Sequence, residues 1–438
     1  MSVVHDRPLS AVKDEWAVLD SAERVRAFAT LAPADAEAFF GRLSPPDQAA
    51  LLLALPAGER RLWMRALPPD DAVDCLQAAS AEARDGLVAL LDERTRREVM
   101  ALLAYAEDDA GGLMSPRFAR VRPEMRVDEA LGYLRRQAVE RVATLYYVYV
   151  LDPEQTLLGV VSVRELFVAP ADQQVMDVMV RDVITVTEET DQEEVSRLLA
   201  EHDLLAIPVV DRARRLQGIV TVDDIVDVVT QEATEDIQKL GGMQALEEPY
   251  LQARLGRMIR KRGVWLAALF VGEMLTATAM ARFEDEIARA VVLALFVPLI
   301  ISSGGNSGSQ AATLVIRAMA VGEVRVRDWW RVIWREAASG LVLGSVLGVI
   351  GLARILTWQG LFGLYGEHAF LLGLTVAASL LGVVLWGTLA GSMLPFALRV
   401  FGVDPASASA PFVATLVDVS GILIYFTVAS VVLRGTLL

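Results

Sequence analysis

The chain of 438 residues is 54% hydrophobic and only 22% charged, with mean hydropathy +0.41, which is too apolar for a wholly water-soluble protein of ordinary composition. The formal net charge of −15 falls entirely in residues 1–262, because residues 263–438 carry 10 acids and 10 bases. An acidic front half excludes nucleic acid as its partner, since phosphate binding needs a basic stripe, and one cysteine (Cys75) with three scattered histidines excludes a disulfide framework and a His/Cys metal cluster.

Residues 1–8 lack the apolar core of a signal peptide, so the front half is expected to stay in the cytosol. Leu31, Leu43, Leu55, Leu67, Ala79, Leu91 and Leu103 then fall every twelve residues. Helix-start chemistry follows each: Ser44-Pro45-Pro46-Asp47, Pro56, Pro68-Pro69-Asp70, Ser80 and Asp92 supply capping oxygens or a proline suited to the first turn. The repeat predicts short helices with tight turns stacked into an all-α solenoid over 1–110. Such a module either presents an interaction surface or simply packs, its acids solvated.

Over 111–230 the pattern changes to two tandem copies of β-rich runs alternating with amphipathic helices. The first ends in Gly159-Val160-Val161-Ser162 and the second in Gly218-Ile219-Val220-Thr221, each leading into a helix. The order of elements resembles an α/β tandem CBS pair, a module that dimerises side by side. Residues 231–262 read as a connecting (plug) helix.

From 263 to 438 five apolar segments are long enough to cross a bilayer, for which about 20 residues are needed. They are approximately 263–281, 287–321, 337–358, 370–399 and 410–433. Basic residues mark the cytosolic side. Arg254, Arg257, Arg260, Lys261 and Arg262 precede the first segment, Arg325, Arg327, Arg331 and Arg335 follow the second, and Glu284, Asp285 and Glu286 lie between. The N-terminus is therefore expected in the cytoplasm and, with an odd number of spans, the C-terminus outside. The fold class is a multidomain membrane protein: all-α solenoid, α/β CBS pair and an all-α five-span domain surrounded by lipid.

Two features of the spans carry chemistry. Gly304-Gly305-Asn306-Ser307-Gly308-Ser309-Gln310 reads as an interruption of the second segment, lining a polar path or forming a tight small-residue seam. Asp418 stands in the last segment with apolar neighbours on both sides; a carboxylate at that depth costs about 2.5–3.5 kcal/mol even on a lenient scale, so it should face a cavity and have a use. Glu273 is the other acid well inside a span. An oxygen-only site suits a hard divalent cation, and magnesium keeps most of its water while one or two carboxylates hold it.

The run 304–310 continuing to Arg317, the segment Pro411–Gly421 and the stretch Glu232-Ala233-Thr234-Glu235-Asp236-Ile237 resemble the MgtE family of magnesium channels across nearly the whole chain. The resemblance implies a homodimer with one pore on its two-fold axis, hydrated magnesium held by Asp418 of both subunits, and the Ala414 carbonyl and Asn306 nearby. It also gives the acids of the front half a role. On a helix beginning near Asp223, Asp224, Asp227 and Glu235 fall within about 80° of one another, Glu232 lies at the edge, and Ile225, Val229 and Leu240 are largely opposite. A solvated acidic face would look the same. The resemblance instead implies a cytosolic magnesium sensor built from Glu193, Asp203, Asp224, Asp227, Glu232, Glu235 and Asp236, facing Asp108 or Asp109 and joined by Glu336.

The expected function is thus passive, inward, magnesium-selective transport in the cell membrane, shut by cytosolic magnesium bound between the solenoid, the CBS pair and the connecting helix. CBS clefts often take adenine nucleotides, so ATP is a further expected regulatory ligand, at Tyr147, Arg164, Gly218 and Thr221; Asp224 fits either its ribose or a metal. Rival readings are a CBS-gated transporter of manganese or cobalt, and a membrane-anchored nucleotide sensor. No hydrolytic or nucleophilic constellation points to an enzyme.

Overall fold

The computed structural model describes residues 8–137, 142–246, 250 and 253–437. The chain forms two compact units, Met1–Glu232 and Ala233–Leu438.

In the first unit the twelve-residue repeat becomes helices at Pro33–Phe40, Pro45–Ala54, Ala57–Ala66, Pro69–Ala78, Ala81–Val88 and Glu93–Leu102. Capping explains the period. Asp92 accepts from Thr95 N at 3.0 Å and Ser44 from Asp47 N at 3.4 Å, while prolines occupy the first turns of three of these helices. The repeat leucines close the turns: Leu31, Leu55, Leu67 and Leu91 are buried. Helices Ser21–Phe28, Pro45–Ala54, Pro69–Ala78 and Glu93–Leu102 pack on one another in series.

Two three-stranded sheets follow, with strands β1 (Arg120–Val121), β2 (Tyr147–Leu151), β3 (Leu157–Ser162), β4 (Val186–Thr187), β5 (Ala206–Val210) and β6 (Leu216–Thr221). In each sheet the short first strand pairs parallel to the second and the second antiparallel to the third. Even the register break recurs, after Val150 in one copy and after Val209 in the other. The glycine in each Gly-x-x-Ser/Thr run has a packing reason. A Cβ on Gly218 would stand 2.7 Å from Met114, and one on Gly159 would stand 2.7 Å from the Val180 carbonyl oxygen. The second repeat shares one hydrophobic core with the solenoid, Val195, Leu199, Ile207, Val220, Ile225 and Val228 clustering with Leu76, Val99 and Leu102.

Helix Val222–Leu240 closes this unit and continues into the next. Its core face is Ile225 and Val228, not Ile225 and Val229 as the sequence pattern suggested. Val229 is 51% exposed, on a stripe with Val222, Val226 and Ile237. The helix therefore has two apolar strips, and the one-strip reading merged them.

The second unit holds five long apolar helices: Leu255–Ala281, Val297–Ala320, Trp329–Phe362, Ala369–Val400 and Ala410–Val432. The connecting helix expected over 231–262 is not one element among the described residues: its ends belong to helices Val222–Leu240 and Leu255–Ala281. Helix Val222–Leu240 stops where Gly242, at φ +71, takes the left-handed conformation that ends helices. The first span then starts at Leu255, eight residues before the expected boundary, because its opening turns carry Arg257, Arg260, Lys261 and Arg262 as helical residues. Residues 247–249 and 251–252 lie outside the described residues.

The second span differs more. Helix Val297–Ala320 runs unbroken through 302–310, so the glycines do not interrupt it. Gly304 and Gly308 are buried against the fourth and fifth spans; a Cβ on Gly308 would lie 2.8 Å from the Gly387 carbonyl oxygen, and one on Gly304 2.9 Å from Val417. Glycine opposite glycine lets the two backbones touch. The buried hydroxyls of Ser307 and Thr388 meet across the same seam at 2.8 Å. The tight-seam reading thus holds for the glycines, while Asn306 stays exposed.

Candidate functional site

Asp418 sits on the fifth-span helix, which starts with Ser409 capping Phe412 N at 3.3 Å and Pro411 in the first turn. Its side chain is half-buried. Gly305 of the second span leaves room beside it: a Cβ there would lie 3.6 Å from Ala414 and 4.0 Å from Asp418 Oδ1. The structure thus brings Asp418 and Ala414 to one notch. Asn306, one residue further round, is turned to the exposed face, where its Nδ2 donates to Ser302 Oγ at 3.5 Å.

The neighbour that sequence reasoning left without a role is Glu273. Its carboxyl is close enough to interact electrostatically with that of Asp418. The first and fifth spans cross closely at this level, a Cβ on Gly272 standing 3.0 Å from the Thr415 methyl. The available signal was its isolation: an acid eighteen residues past the start of an apolar helix has to find a partner.

A second concentration of carboxyls lies in the first unit. Helix Pro69–Ala78 carries Asp70, Asp71 and Asp74, and the start of helix Val222–Leu240 carries Asp223, Asp224 and Asp227. The two sets interact. Burial first, then Asp224, Asp223 and Asp227, pushes the Asp71 carboxyl up to about 6. Burial, then Asp71, Asp70, Asp224 and Glu107, pushes Asp74 up to about 8. Asp224 is pushed up to about 7 by burial and then Asp70 and Asp223, against the opposing Thr221 hydrogen bond. Asp70 reaches about 6, and its buried Oδ1 has no hydrogen-bond partner among the described residues. Carboxyls this crowded favour protons or cations. Among the described residues no three His, Cys, Asp or Glu side chains converge closely enough to ligate one bare ion; an ion that keeps most of its water does not require it.

Of the expected sensor acids, Asp224 and Asp227 belong to this face. The acids that face them include Asp70, Asp71 and Asp74, with Glu107 beside Asp74. Through their main chains Asp108 and Asp109 tie to the start of helix Gln192–Glu201, Asp108 O accepting from Gln192 N at 2.8 Å and Asp109 bridging to Asp191. Glu193 is exposed in the first turn of helix Gln192–Glu201, and Asp203 lies in the exposed turn behind it at φ +52. Glu232 accepts from Gln192 Nε2. Further along, Glu235 pairs with Lys239, and burial and then Asp404 raise the Asp236 carboxyl. Glu336 is half-buried on the third-span helix, next to Arg335.

The expected nucleotide residues fall in both repeats. Tyr147 opens β2 opposite Ser162 and packs, half-buried, against the cluster containing Ile219; Arg164 is exposed on helix Val163–Val168. Gly218 is buried under Met114, and the Thr221 hydroxyl donates to Asp224 at 2.7 Å.

Residues 297–428 match the family described as a divalent cation transporter, residues 9–108 match the MgtE intracellular N domain, and residues 110–172 and 175–231 each match a CBS domain. With five spans the chain is a multi-pass, CBS-bearing divalent-cation transporter. It is 42% identical to the magnesium transporter MgtE of Thermus thermophilus, over 99% of this chain and 94% of that one, and 32% identical to the magnesium transporter MgtE of Bacillus subtilis, over 93% and 88%. The chain belongs to the MgtE family of magnesium transporters, and magnesium is its transported ion. A crystal structure of the cytosolic domain of the Mg2+ channel MgtE in complex with ATP is 42% identical, covering 52% of this chain and 92% of that one at TM-score 0.48.

Proposed function

We propose that the chain is a passive, magnesium-selective channel carrying the ion inward, with hydrated magnesium held at Asp418 and with cytosolic magnesium as its shut-off signal. The observation that carries the pore reading is Asp418 itself, a half-buried carboxylate on an apolar helix, beside a glycine notch and a second acid. An isolated charge in that setting is kept only where ions or water reach it. The membrane potential supplies the drive, about 2.3 kcal/mol per charge per 100 mV. Ala414 lines the same notch; Asn306 would join it at the exposed mouth.

The proposed channel is a homodimer, in which a second Asp418 completes the pore. The exposed stripe of Val222, Val226, Val229 and Ile237, and a first span in which Ala279 is the one buried residue, leave apolar surface for a second subunit as well as lipid. Charge asymmetry supports a cytoplasmic N-terminus, the acids Glu284, Asp285 and Glu286 opening a short helix between two basic clusters.

The shut-off signal acts at the carboxyls of helices Pro69–Ala78 and Val222–Leu240. At high magnesium, hydrated ions screen Asp71 and Asp74 against Asp224 and Asp227 and hold the helices together; at low magnesium, repulsion parts them and the pore opens. Glu193, Asp203, Glu232, Asp108 and Asp109 of the first unit, and Glu235, Asp236 and Glu336 of the second, are proposed as further acids of the sensor. ATP is proposed as a regulator reached by Tyr147 and Arg164, with Gly218 shaping the cleft and Thr221 engaged by Asp224.

Magnesium flux into proteoliposomes, at low and high magnesium on the cytosolic face, tests the reading. Wild type conducts at low magnesium and closes at high, and Asp418→Ala abolishes conduction. Flux indifferent to Asp418→Ala would remove the pore assignment, and preferential manganese or cobalt flux would favour the transporter of another divalent ion.

A further inference from the structure

The far end of helix Val222–Leu240 carries a cation of the chain's own. Lys239 Nζ lies 2.6 Å from Asp404 Oδ2 and also pairs with Glu235 one turn back. Pairing with Glu235 alone would be an ordinary surface contact between positions i and i+4, worth a few tenths of a kcal/mol. Asp404 is 165 residues away in sequence, in the connection between the fourth and fifth spans. Its two oxygens have separate duties: Oδ2 takes the Lys239 ammonium, and Oδ1 accepts from Ala406 N at 2.9 Å, fixing the turn Pro405–Ser407. Two residues on, Ser409 caps the helix that bears Asp418.

The helix end is seated by more than this pair. Gly242, at φ +71, folds the chain back so closely that a Cβ there would lie 2.8 Å from Trp265 Nε1 and 3.0 Å from Pro411 Cγ. One joint therefore contains the end of helix Val222–Leu240, the first span and the first turn of the fifth. Three carboxylates crowd it, Glu235, Asp236 and Asp404, and Lys239 is the ammonium placed among them.

We propose that Lys239 is a built-in counter-cation that clasps helix Val222–Leu240 to the Asp404 turn, so that displacement of this helix reaches the fifth span through an ion pair that needs no magnesium of its own. The helix that starts at the acids Asp223 and Asp224 ends at this clasp, making it the mechanical link from acidic face to pore. The clasp stands on the ion pair; its part in shut-off rests on the feedback reading above.

Two measurements on the full-length protein separate these. Acylation of Lys239 by a water-soluble N-hydroxysuccinimide ester, followed by mass spectrometry in EDTA, reads the pair: Asp404→Asn should speed labelling about threefold or more. Magnesium flux reads the coupling: in Lys239→Gln the cytosolic magnesium needed for half shut-off should rise about fivefold or more, with peak flux kept, whereas Lys239→Arg should behave as wild type. Labelling equally fast in wild type and Asp404→Asn, or slowed only when magnesium is added, overturns the clasp. Wild-type shut-off in Lys239→Gln overturns its role as a link. A wild-type channel that magnesium fails to close overturns the feedback reading instead, and labelling then still decides the clasp.

Discussion

The Thr221 hydroxyl donates to the Asp224 carboxylate at 2.7 Å, and the Ser162 hydroxyl makes the matching bond to Glu165 at 2.8 Å in the other repeat. Both pairs sit where a strand turns into a helix, and both resemble a capping box. Asp224 is therefore already committed to the start of its helix, while its charge faces Asp70 and Asp71. Position and charge separate by substitution. Asp224→Asn retains an acceptor for Thr221 and removes a repelling charge, so the thermal midpoint in EDTA should hold or rise, yet magnesium should protect helix Pro69–Ala78 less in hydrogen exchange. Thr221→Ala should do the reverse, costing about 1 kcal/mol of stability with the magnesium response preserved. Equal loss of both properties in both variants would mean that cap and charge act as one.

The acidic face predicts a pH dependence of definite sign. Asp71, Asp74 and Asp224 are raised from 3.8 to about 6, 8 and 7, so the closed face holds protons that the separated helices release. Such groups lend full stability below their unfolded value and lose it as pH rises through the folded ones, here from about 4 to about 8. In EDTA, exchange protection of helix Pro69–Ala78, corrected for intrinsic rates, should fall between pH 5.5 and 8.5, and millimolar magnesium should restore it at the upper end. Asp71→Asn with Asp74→Asn should flatten the profile. Protection that rises with pH would rule out the crowding argument.

The glycine seam predicts stability effects that separate close approach from helix propensity. Gly308→Ala brings a methyl to 2.8 Å from the Gly387 carbonyl, where backbone must yield, whereas Gly360, also helical, has nothing within 4 Å of a new Cβ. Overpacking of this kind costs about 1–3 kcal/mol, while glycine to alanine in an open helical position gains up to about 1 kcal/mol. Gly308→Ala should therefore lower the melting temperature in detergent and Gly360→Ala should leave or raise it.

These positions also show what the sequence made legible. The solenoid could be read because its period is written twice, in the leucines that close each turn and in the prolines and caps that open each helix. The five spans followed from apolar length, and the CBS pair from a repeated order of elements. The glycine run was harder, because Gly304 and Gly308 look the same whether a helix breaks or its neighbour comes close, and only Gly387 opposite decides. Asp70, Asp71 and Asp74 were missed as partners of Asp224 and Asp227 for a related reason. Their spacing puts them on adjoining faces of one helix, but what that helix meets is tertiary. Lys239 was passed over among acids because its distant partner, Asp404, sits in a loop that the sequence pattern does not connect to it.

The pore predicts a graded response from its two acids. Asp418 faces the Gly305 notch beside Ala414, while Glu273 reaches it from the first span. Magnesium held through its water shell needs negative charge nearby more than direct ligation, so the second carboxylate should add to affinity without being indispensable. Glu273→Gln removes the charge and retains the shape. Half-saturating magnesium in low-magnesium flux should rise about fivefold, the effect of roughly 1 kcal/mol, with maximal flux little changed, whereas Asp418→Asn should lose most of the flux at any magnesium concentration. Because the transported ion carries two charges, competition by monovalent cations should also sharpen in Glu273→Gln: losing one of two neighbouring carboxylates weakens attraction to a divalent ion more than to a monovalent one. Glu273→Gln flux that matches wild type in both respects would confine the ion site to Asp418 and leave Glu273 as a neighbour without a part in it.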